Sequence, residues 1–196
     1  MLLTHHTPDG LRRSRQHSLT LYGLADGVLP VDLARDLDEV ARTARTFLGA
    51  DAAFVNLLPG DRQVTVASTA VDAPVEVPAS DSICATLLEQ RPVDTICIPD
   101  LTLDPRFRTS PFVDGTYARL RGFASAPLTG REGVALGTLC AAWTTPRAVR
   151  REEAALLVHL GRAAVNLLDD GRHRQPREVT TFPARPLAVA TRVCVA

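Results

Sequence analysis

Apolar residues recur every three or four positions in two long stretches of the chain. The first stretch has apolar residues at spacings of 4, 3, 4 and 3. These residues are Leu33, Leu37, Val40, Ala44 and Phe47. The period is that of an amphipathic helix, and Pro30 before it and Gly49 after it are typical start and stop signals. We therefore predict a helix over residues 33–48.

The second stretch predicts a helix over residues 149–168. Its apolar residues form two adjacent stripes, Leu157, Leu160, Ala164 and Leu167 in one and Val158, Gly161, Val165 and Leu168 in the other. Two stripes are more than one sheet face needs, so two interpretations stay open. Either the helix presents a wide face to the core, or part of it packs on a second chain. The latter predicts a homodimer through helices 33–48 and 149–168.

Runs of β-branched and small apolar residues predict strands between these helices. The predicted strands are 52–58, 63–70, 93–98, 122–128 and 133–143. The first two flank the turn Pro59-Gly60-Asp61, which predicts a hairpin. The last strand is apolar at both alternations. We therefore expect it to lie centrally in its sheet, covered on both faces.

A short helix precedes the third predicted strand. Asp81 or Ser82 can cap it, and Arg91-Pro92 ends it. Residues 71–79 are predicted to form a loop. Residues 100–114, rich in Pro and Asp, predict a long loop with one turn of helix.

The two ends of the chain differ from the middle in composition. Residues 1–20 lack periodicity and predict a disordered leader. Residues 171–196, rich in Pro and Arg, predict a disordered tail. The remaining residues, 21–170, are predicted to form one domain.

Composition excludes several classes of function. The formal net charge is zero, which argues against a specific nucleic-acid partner. No apolar run approaches the roughly 20 residues that span a bilayer, and there is no signal-peptide pattern. We therefore expect a cytoplasmic protein with no membrane partner. The four cysteines lack the spacing of a zinc site, so no metal site is predicted.

The order of predicted elements is helix, two strands, short helix, strand, long loop, two strands and long helix. Along it the chain carries the segments SDSICATLLEQRPVDTICIPDL, DPRF, RGFASAPL and GVALGTLCAAW. With these segments the chain strongly resembles a GAF domain from about residue 20 to about residue 170. The resemblance is strongest to the bacterial GAF domains found beside kinases and diguanylate cyclases.

The resemblance implies an α+β fold with a central antiparallel sheet of about five or six strands. The terminal helices would pack on one face of the sheet. The short helix and the long loop would cover the other face and roof a pocket. This arrangement agrees with the doubly covered strand 133–143.

The resemblance also implies a function, because GAF domains are mostly sensors. We expect a non-catalytic bacterial signalling module that binds a small-molecule ligand or a signalling protein and acts through dimerisation. Two alternatives stay open. One is a protein-interaction adaptor with a vestigial pocket, and the other is a thiol-based redox sensor or reductase that uses Cys84.

The cofactors of related domains find little support in this sequence. Cyclic nucleotide binders of the phosphodiesterase type carry an Asn-Lys signature, and this chain has no Lys. Bilin-binding relatives often have His after the attachment cysteine, and no cysteine here precedes His. Haem-binding relatives need an axial ligand, for which only His159 lies outside the predicted tails. The cofactor therefore stays unassigned.

Free methionine sulfoxide reductases are the enzymatic branch of the family, and they need a reactive and a resolving cysteine. Cys84 stands where that branch has one cysteine, but the loop 106–116 holds no second one. A milder alternative pairs Cys84 with Cys97 as a redox switch. Burial as a small apolar residue is the commoner role for Cys97. We therefore expect no catalysis.

The candidate ligand-binding residues lie on the short helix, the long loop and the strands after it. They are Ser82, Cys84, Asp100, Asp104, Arg106, Phe107, Arg108, Tyr117, Ser125 and Cys140. Polar groups on a loop above an apolar sheet suit a small polar ligand. A structural alternative is that Asp104 starts a turn and that Arg106 pairs with Asp100 or Asp104.

Overall fold

The computed structural model describes residues 7–90, 95–171 and 179–180 of the 196-residue chain. Six antiparallel strands of this part form one sheet, in the order β4-β3-β2-β7-β6-β5. The strands are β2 (Ala52–Leu57), β3 (Arg62–Ser68), β4 (Glu76–Pro78), β5 (Ile96–Ile98), β6 (Gly122–Thr129) and β7 (Ala135–Trp143). The predicted α+β fold is confirmed.

The centre of the sheet is formed by β2 and β7, which pair in register from Ala52 opposite Ala142 to Leu57 opposite Gly137. Every residue of β7 is buried. This confirms that the strand rich in apolar residues at both alternations is covered on both faces.

One face of the sheet is covered by two long helices. These are α2 (Val31–Leu48) and α5 (Arg151–Gly171), which pack with β2, β3, β6 and β7 around a large apolar core. Helix α2 ends at Gly49, whose φ of 58° lies in the left-handed region that glycine adopts without strain. Both helices were predicted from the apolar period of the sequence.

The other face carries shorter elements. These are α3 (Ile83–Gln90), a 3₁₀ turn (Leu101–Leu103) and α4 (Pro111–Asp114). Their apolar residues form a second core with Phe123 of β6 and Cys140 of β7. The hydroxyl of Ser82 accepts a hydrogen bond from the backbone N–H of Ala85 at 2.9 Å, which caps α3. The layer therefore has the predicted roofing position.

The structure differs from the predicted leader, because residues Pro8–Leu21 form helix α1. Thr7 caps this helix by accepting a hydrogen bond from the backbone N–H of Gly10 at 3.2 Å. Arg15 is buried, and its Nε donates to the carbonyl oxygen of Ala135 at 2.9 Å. The Thr7 cap is a local signal within residues 1–20, whereas the partner of Arg15 is 120 positions away, so the local pattern does not contain that contact.

Short strands also lie in two segments that were predicted to lack regular structure. Strand β4 lies within the predicted loop 71–79 and pairs with β3. Strand β8 (Val179–Thr180), in the predicted tail, pairs with β1 (Leu29–Pro30). The rest of the tail after Gly171 lies outside the described residues.

None of the helices in the described ranges is long and apolar enough to cross a membrane.

Candidate functional site

A cavity of about 330 Å³ lies between the sheet and the layer formed by α3, α4 and the loop after β3. Most of its wall is apolar. The large apolar side chains of this wall are Phe54, Ile83, Phe112, Leu120 and Phe123. Phe112 also packs edge to face against Tyr117, with ring centroids 5.2 Å apart. Aromatic side chains from the sheet and the roof thus enclose the same space.

Two thiols and an amide form the floor of the cavity. The Sγ atoms of Cys84 on α3 and Cys140 on β7 are 3.1 Å apart. The amide nitrogen of Asn56 on β2 donates to Cys140 Sγ at 3.4 Å and to Cys84 Sγ at 3.6 Å. The amide oxygen of Asn56 accepts a hydrogen bond from the Thr65 hydroxyl at 3.0 Å. Asn56 therefore fixes both sulfur atoms to the sheet.

The two thiols differ in acidity. The hydrogen bond from the Cys140 thiol lowers the pKa of Cys84, and Thr138 and Asn56 act in the same direction. Burial raises the pKa of Cys140 well above its ordinary value. When one thiol of the pair ionises, the structure therefore favours the thiolate on Cys84.

Gln63 of β3 provides a hydrogen-bond donor on the cavity wall. Its amide oxygen accepts a hydrogen bond from the Ser82 hydroxyl at 2.6 Å, which fixes the orientation of the amide. None of the described residues accepts a hydrogen bond from its amide nitrogen. A ligand carbonyl or hydroxyl can therefore accept from Gln63.

The mouth of the cavity is acidic. Asp51, Asp72 and Thr144 are exposed residues of its lining, and none of the described lining residues is Arg or His. Hydrogen bonds from Thr144, the backbone N–H first, lower the pKa of Asp51, so this carboxylate is charged at neutral pH. The cavity thus favours an uncharged or cationic ligand over an anion.

Tyr117 lines the cavity on the roof side. Its hydroxyl donates a hydrogen bond to Asp81 at 3.1 Å, and burial raises the pKa of this phenol, with the hydrogen bond to Asp81 adding to the effect. The phenol therefore stays protonated near neutral pH. It is a fixed part of the roof that can still accept a hydrogen bond from a ligand.

Three of the ten predicted binding residues line this cavity: Cys84, Tyr117 and Cys140. Ser82 and Ser125 lie just behind the wall, the first bonded to Gln63 and the second paired with Cys140 across β6 and β7. Ligand contacts for all of these residues stay a prediction.

The five predicted residues on the long loop do not line the cavity, and three of them form ion pairs that stabilise the loop. Arg106 pairs with Asp104 at 2.6 Å, as the structural alternative predicts, whereas Asp100 pairs with Arg121 at 2.5 Å. The hydrogen bond from Arg121 holds the pKa of Asp100 well below its ordinary value. Phe107 is buried in the second core, and Arg108 is exposed.

Sequence reasoning missed the polar residues of the sheet floor, which are Asn56, Gln63 and Thr65. A signal exists for Asn56, because it is the single polar residue of β2, whose other residues are apolar. Strand β3 has polar residues at both ends as well, so its sequence distinguishes Gln63 and Thr65 less clearly. A buried polar residue is more informative than an exposed one, since it needs a partner.

Other candidate groups lie away from the cavity. Cys97 packs on the core beneath α2 and α5, so it lies on the opposite face of the sheet from Cys84. The predicted Cys84–Cys97 pair is therefore not brought together. His159 is exposed on α5. Within residues 7–90, 95–171 and 179–180, no group of three or more His, Cys, Asp or Glu residues is placed to hold a metal ion.

The fold and the roofed cavity together define an α+β domain with two long helices on one face of its sheet and a roofed cavity on the other. The sequence profile of the GAF domain matches residues 31–169. The chain belongs to the GAF domain family, which confirms the resemblance drawn from the sequence.

A related sequence and two related structures accompany this assignment. A cyclic di-GMP phosphodiesterase of Pseudomonas aeruginosa is 34% identical over 148 residues, which cover 75% of this chain and 24% of that protein. The chain thus spans about a quarter of that relative's length.

The GAF domain of a Coxiella burnetii phosphoenolpyruvate-protein phosphotransferase has a TM-score of 0.61 at 16% identity, covering 85% of this chain and 95% of that one. A free methionine-R-sulfoxide reductase from Neisseria meningitidis has a TM-score of 0.60 at 15% identity, covering 78% of this chain and 86% of that one. At these identities the two structures show the shared fold alone.

Proposed function

We propose that this GAF domain is a non-catalytic sensory module that binds a small uncharged or cationic molecule in the cavity between the sheet and α3. The observation that carries the proposal is the roofed cavity itself, with apolar walls and the unused amide donor of Gln63. Ligand pockets start at roughly 300 Å³. A cavity of about 330 Å³ therefore suits a compact ligand.

Charge argues against the molecules named with the relatives. A cyclic dinucleotide carries two phosphates, and free methionine sulfoxide is a zwitterion whose carboxylate would also need a cationic partner. Neither would meet an Arg or His among the described lining residues, and both would face Asp51 and Asp72 at the mouth. Burying an unpaired anion is costly, so we expect neither molecule to be the ligand.

The output of the module is proposed to pass through a homodimer formed by α2 and α5, or through a separate signalling protein. Support comes from α2, where Phe47 is 69% exposed and Val31 is 46% exposed. The two stripes of α5 support it as well. Leu157, Ala164 and Leu168 are buried, but Leu160 and Leu167 are only partly covered by their own chain. We place this module in the bacterial cytoplasm.

Native mass spectrometry of the full chain, purified from its own host, tests ligand binding directly. We expect a mass above that of the polypeptide, which disappears after denaturation. Ala118→Phe fills the cavity and should abolish the added mass, whereas Ala155→Phe on the exposed side of α5 should retain it. Retention of the same ligand by the Ala118→Phe protein would contradict binding in this cavity.

A further inference from the structure

The floor of the cavity holds a pair of thiols from elements that are far apart in sequence. Cys84 Sγ and Cys140 Sγ are 3.1 Å apart, only about 1 Å more than the roughly 2.05 Å of a disulfide bond. Both cysteines line the cavity, so a small molecule that enters can reach them although their outer surface is buried. The pair is thus accessible from one side only.

We propose that Cys84 and Cys140 are a redox modification site, oxidised to a disulfide by a small hydroperoxide that enters the cavity. Cys84 is the attacking residue, because it lies in the first turn of α3, where the N-terminal end of a helix stabilises a thiolate. Cys140 is the resolving residue, since it already lies in contact and no element must unfold to bring it closer.

The reaction balances in two steps. In the first, the Cys84 thiolate attacks the terminal peroxide oxygen, forms a sulfenic acid and releases the alcohol, or water from hydrogen peroxide. In the second, the Cys140 sulfur attacks the sulfenic sulfur, the S–S bond forms and water leaves with the remaining proton. Two thiols lose two electrons in total, and the peroxide O–O bond is reduced by them.

The new bond would join the cavity roof to the central strand. Cys84 lies in the first turn of α3, and Cys140 lies in β7, with Thr138 hydroxyl at 3.1 Å from its sulfur. The inference does not depend on the proposed ligand, because an empty cavity admits peroxide as well. Failure of one proposal therefore leaves the other standing.

Peptide mapping after oxidation tests the site in the full chain. The protein is treated with hydrogen peroxide at low molar excess, denatured, alkylated and digested under non-reducing conditions. We expect a cross-linked peptide pair that joins Cys84 to Cys140 and has a mass two hydrogen atoms below the sum of the two peptides. Dithiothreitol should reduce this disulfide and separate the two peptides. Cys97 should keep its thiol for at least ten times longer, since burial raises the pKa of Cys97.

Two variants assign the roles. Cys140→Ser should stop the reaction at the sulfenic acid of Cys84, which dimedone traps, and Cys97→Ser should leave the linked peptide unchanged. If Cys140→Ser fails to fold, the peptide map of the wild-type protein still tests the proposal. Full alkylation of both Cys84 and Cys140 after peroxide treatment, or a Cys84–Cys97 peptide instead, would overturn the proposal.

Discussion

Gly137 lies on β7 opposite Leu57 of β2, where the two central strands pair. A Cβ atom at this position would lie 1.9 Å from the backbone carbonyl oxygen of Asn56. Because that oxygen belongs to the neighbouring strand, Gly137→Ala must push β2 and β7 apart. We expect the free energy of unfolding to fall by about 3 kcal/mol or more, as measured by urea denaturation.

Gly161 of α5 is the matched control for this substitution. A Cβ atom there would have Leu128 Cδ2 at 3.6 Å as its nearest neighbour, which is an ordinary contact. Alanine also favours the helix over glycine by about 1 kcal/mol. Gly161→Ala should therefore leave the stability unchanged or raise it. Equal losses in the two variants would refute the explanation from strand spacing.

The two cavity cysteines show how much of the candidate site could be predicted from single residues. Cys84 and Cys140 were proposed from their segments, and the structure places both on the cavity. Their mutual contact was not predicted, because 56 positions separate them in the chain. The contact depends on how α3 packs on the sheet and on which residues of β7 face it. The local sequence pattern does not encode either of these.

The elements divide according to what stabilises them. Helices α2 and α5 and most strands were predicted, since each buries an apolar stripe that recurs with a fixed period. Helix α1 was not, because polar contacts with distant residues stabilise it. Arg12 pairs with Glu89 at 2.6 Å, and Ser18 donates to Glu132 at 2.6 Å. Such partners become visible only after the chain has folded.

The start of α5 depends on one carboxylate. Glu153 accepts a hydrogen bond from the backbone N–H of Arg150 at 2.8 Å and pairs with Arg147 Nη2 at 2.8 Å. These contacts, the backbone bond first, lower the pKa of Glu153 below its ordinary 4.5. Its contribution to stability is therefore present above about pH 4.5 and is lost as the pH falls through the lower pKa of the folded state.

Glu153→Gln tests this account by thermal unfolding at several pH values. We expect a Tm below that of the wild type by a few degrees at pH 7, and a difference that vanishes toward about pH 3. Glu152→Gln removes a neighbouring exposed carboxylate and should change the Tm little at either pH. A difference for Glu153→Gln that is constant with pH would contradict the role of its charge.

At the scale of the whole molecule, the family and the central antiparallel sheet were both predicted, because the order of elements along the chain is specific to this fold. The order of the strands within the sheet was not predicted. The ligand was not, since fold does not fix function. The cavity wall is formed by side chains from β2, β3, β6, β7, α3 and α4 together. That no described residue of this wall is Arg or His is a property of the assembled cavity rather than of any one segment.

Association of the whole chain can be tested at Phe47, which is 69% exposed on α2. Multi-angle light scattering at tens of micromolar should give twice the monomer mass of 21.1 kDa for the wild type. Phe47→Glu should shift the population to the monomer, because a charge would replace an apolar contact buried in the dimer interface. Thr46 is also exposed on α2, and Thr46→Glu should leave the population of dimer unchanged. A monomeric wild type would exclude the proposed dimer.

Helix α1 has a consequence for where this domain begins. The part shared with the family starts at residue 31, yet α1 precedes it and contacts elements on both faces of the sheet. At its first half, Arg12 pairs with Glu89 of α3, and just after its end the Tyr22 hydroxyl donates to Asp169 of α5 at 2.5 Å. A fragment cut at the family boundary would keep every residue that lines the cavity. It would lose the contacts that connect the cavity roof to the terminal helix past the first residue of β7, where Arg15 bonds to Ala135.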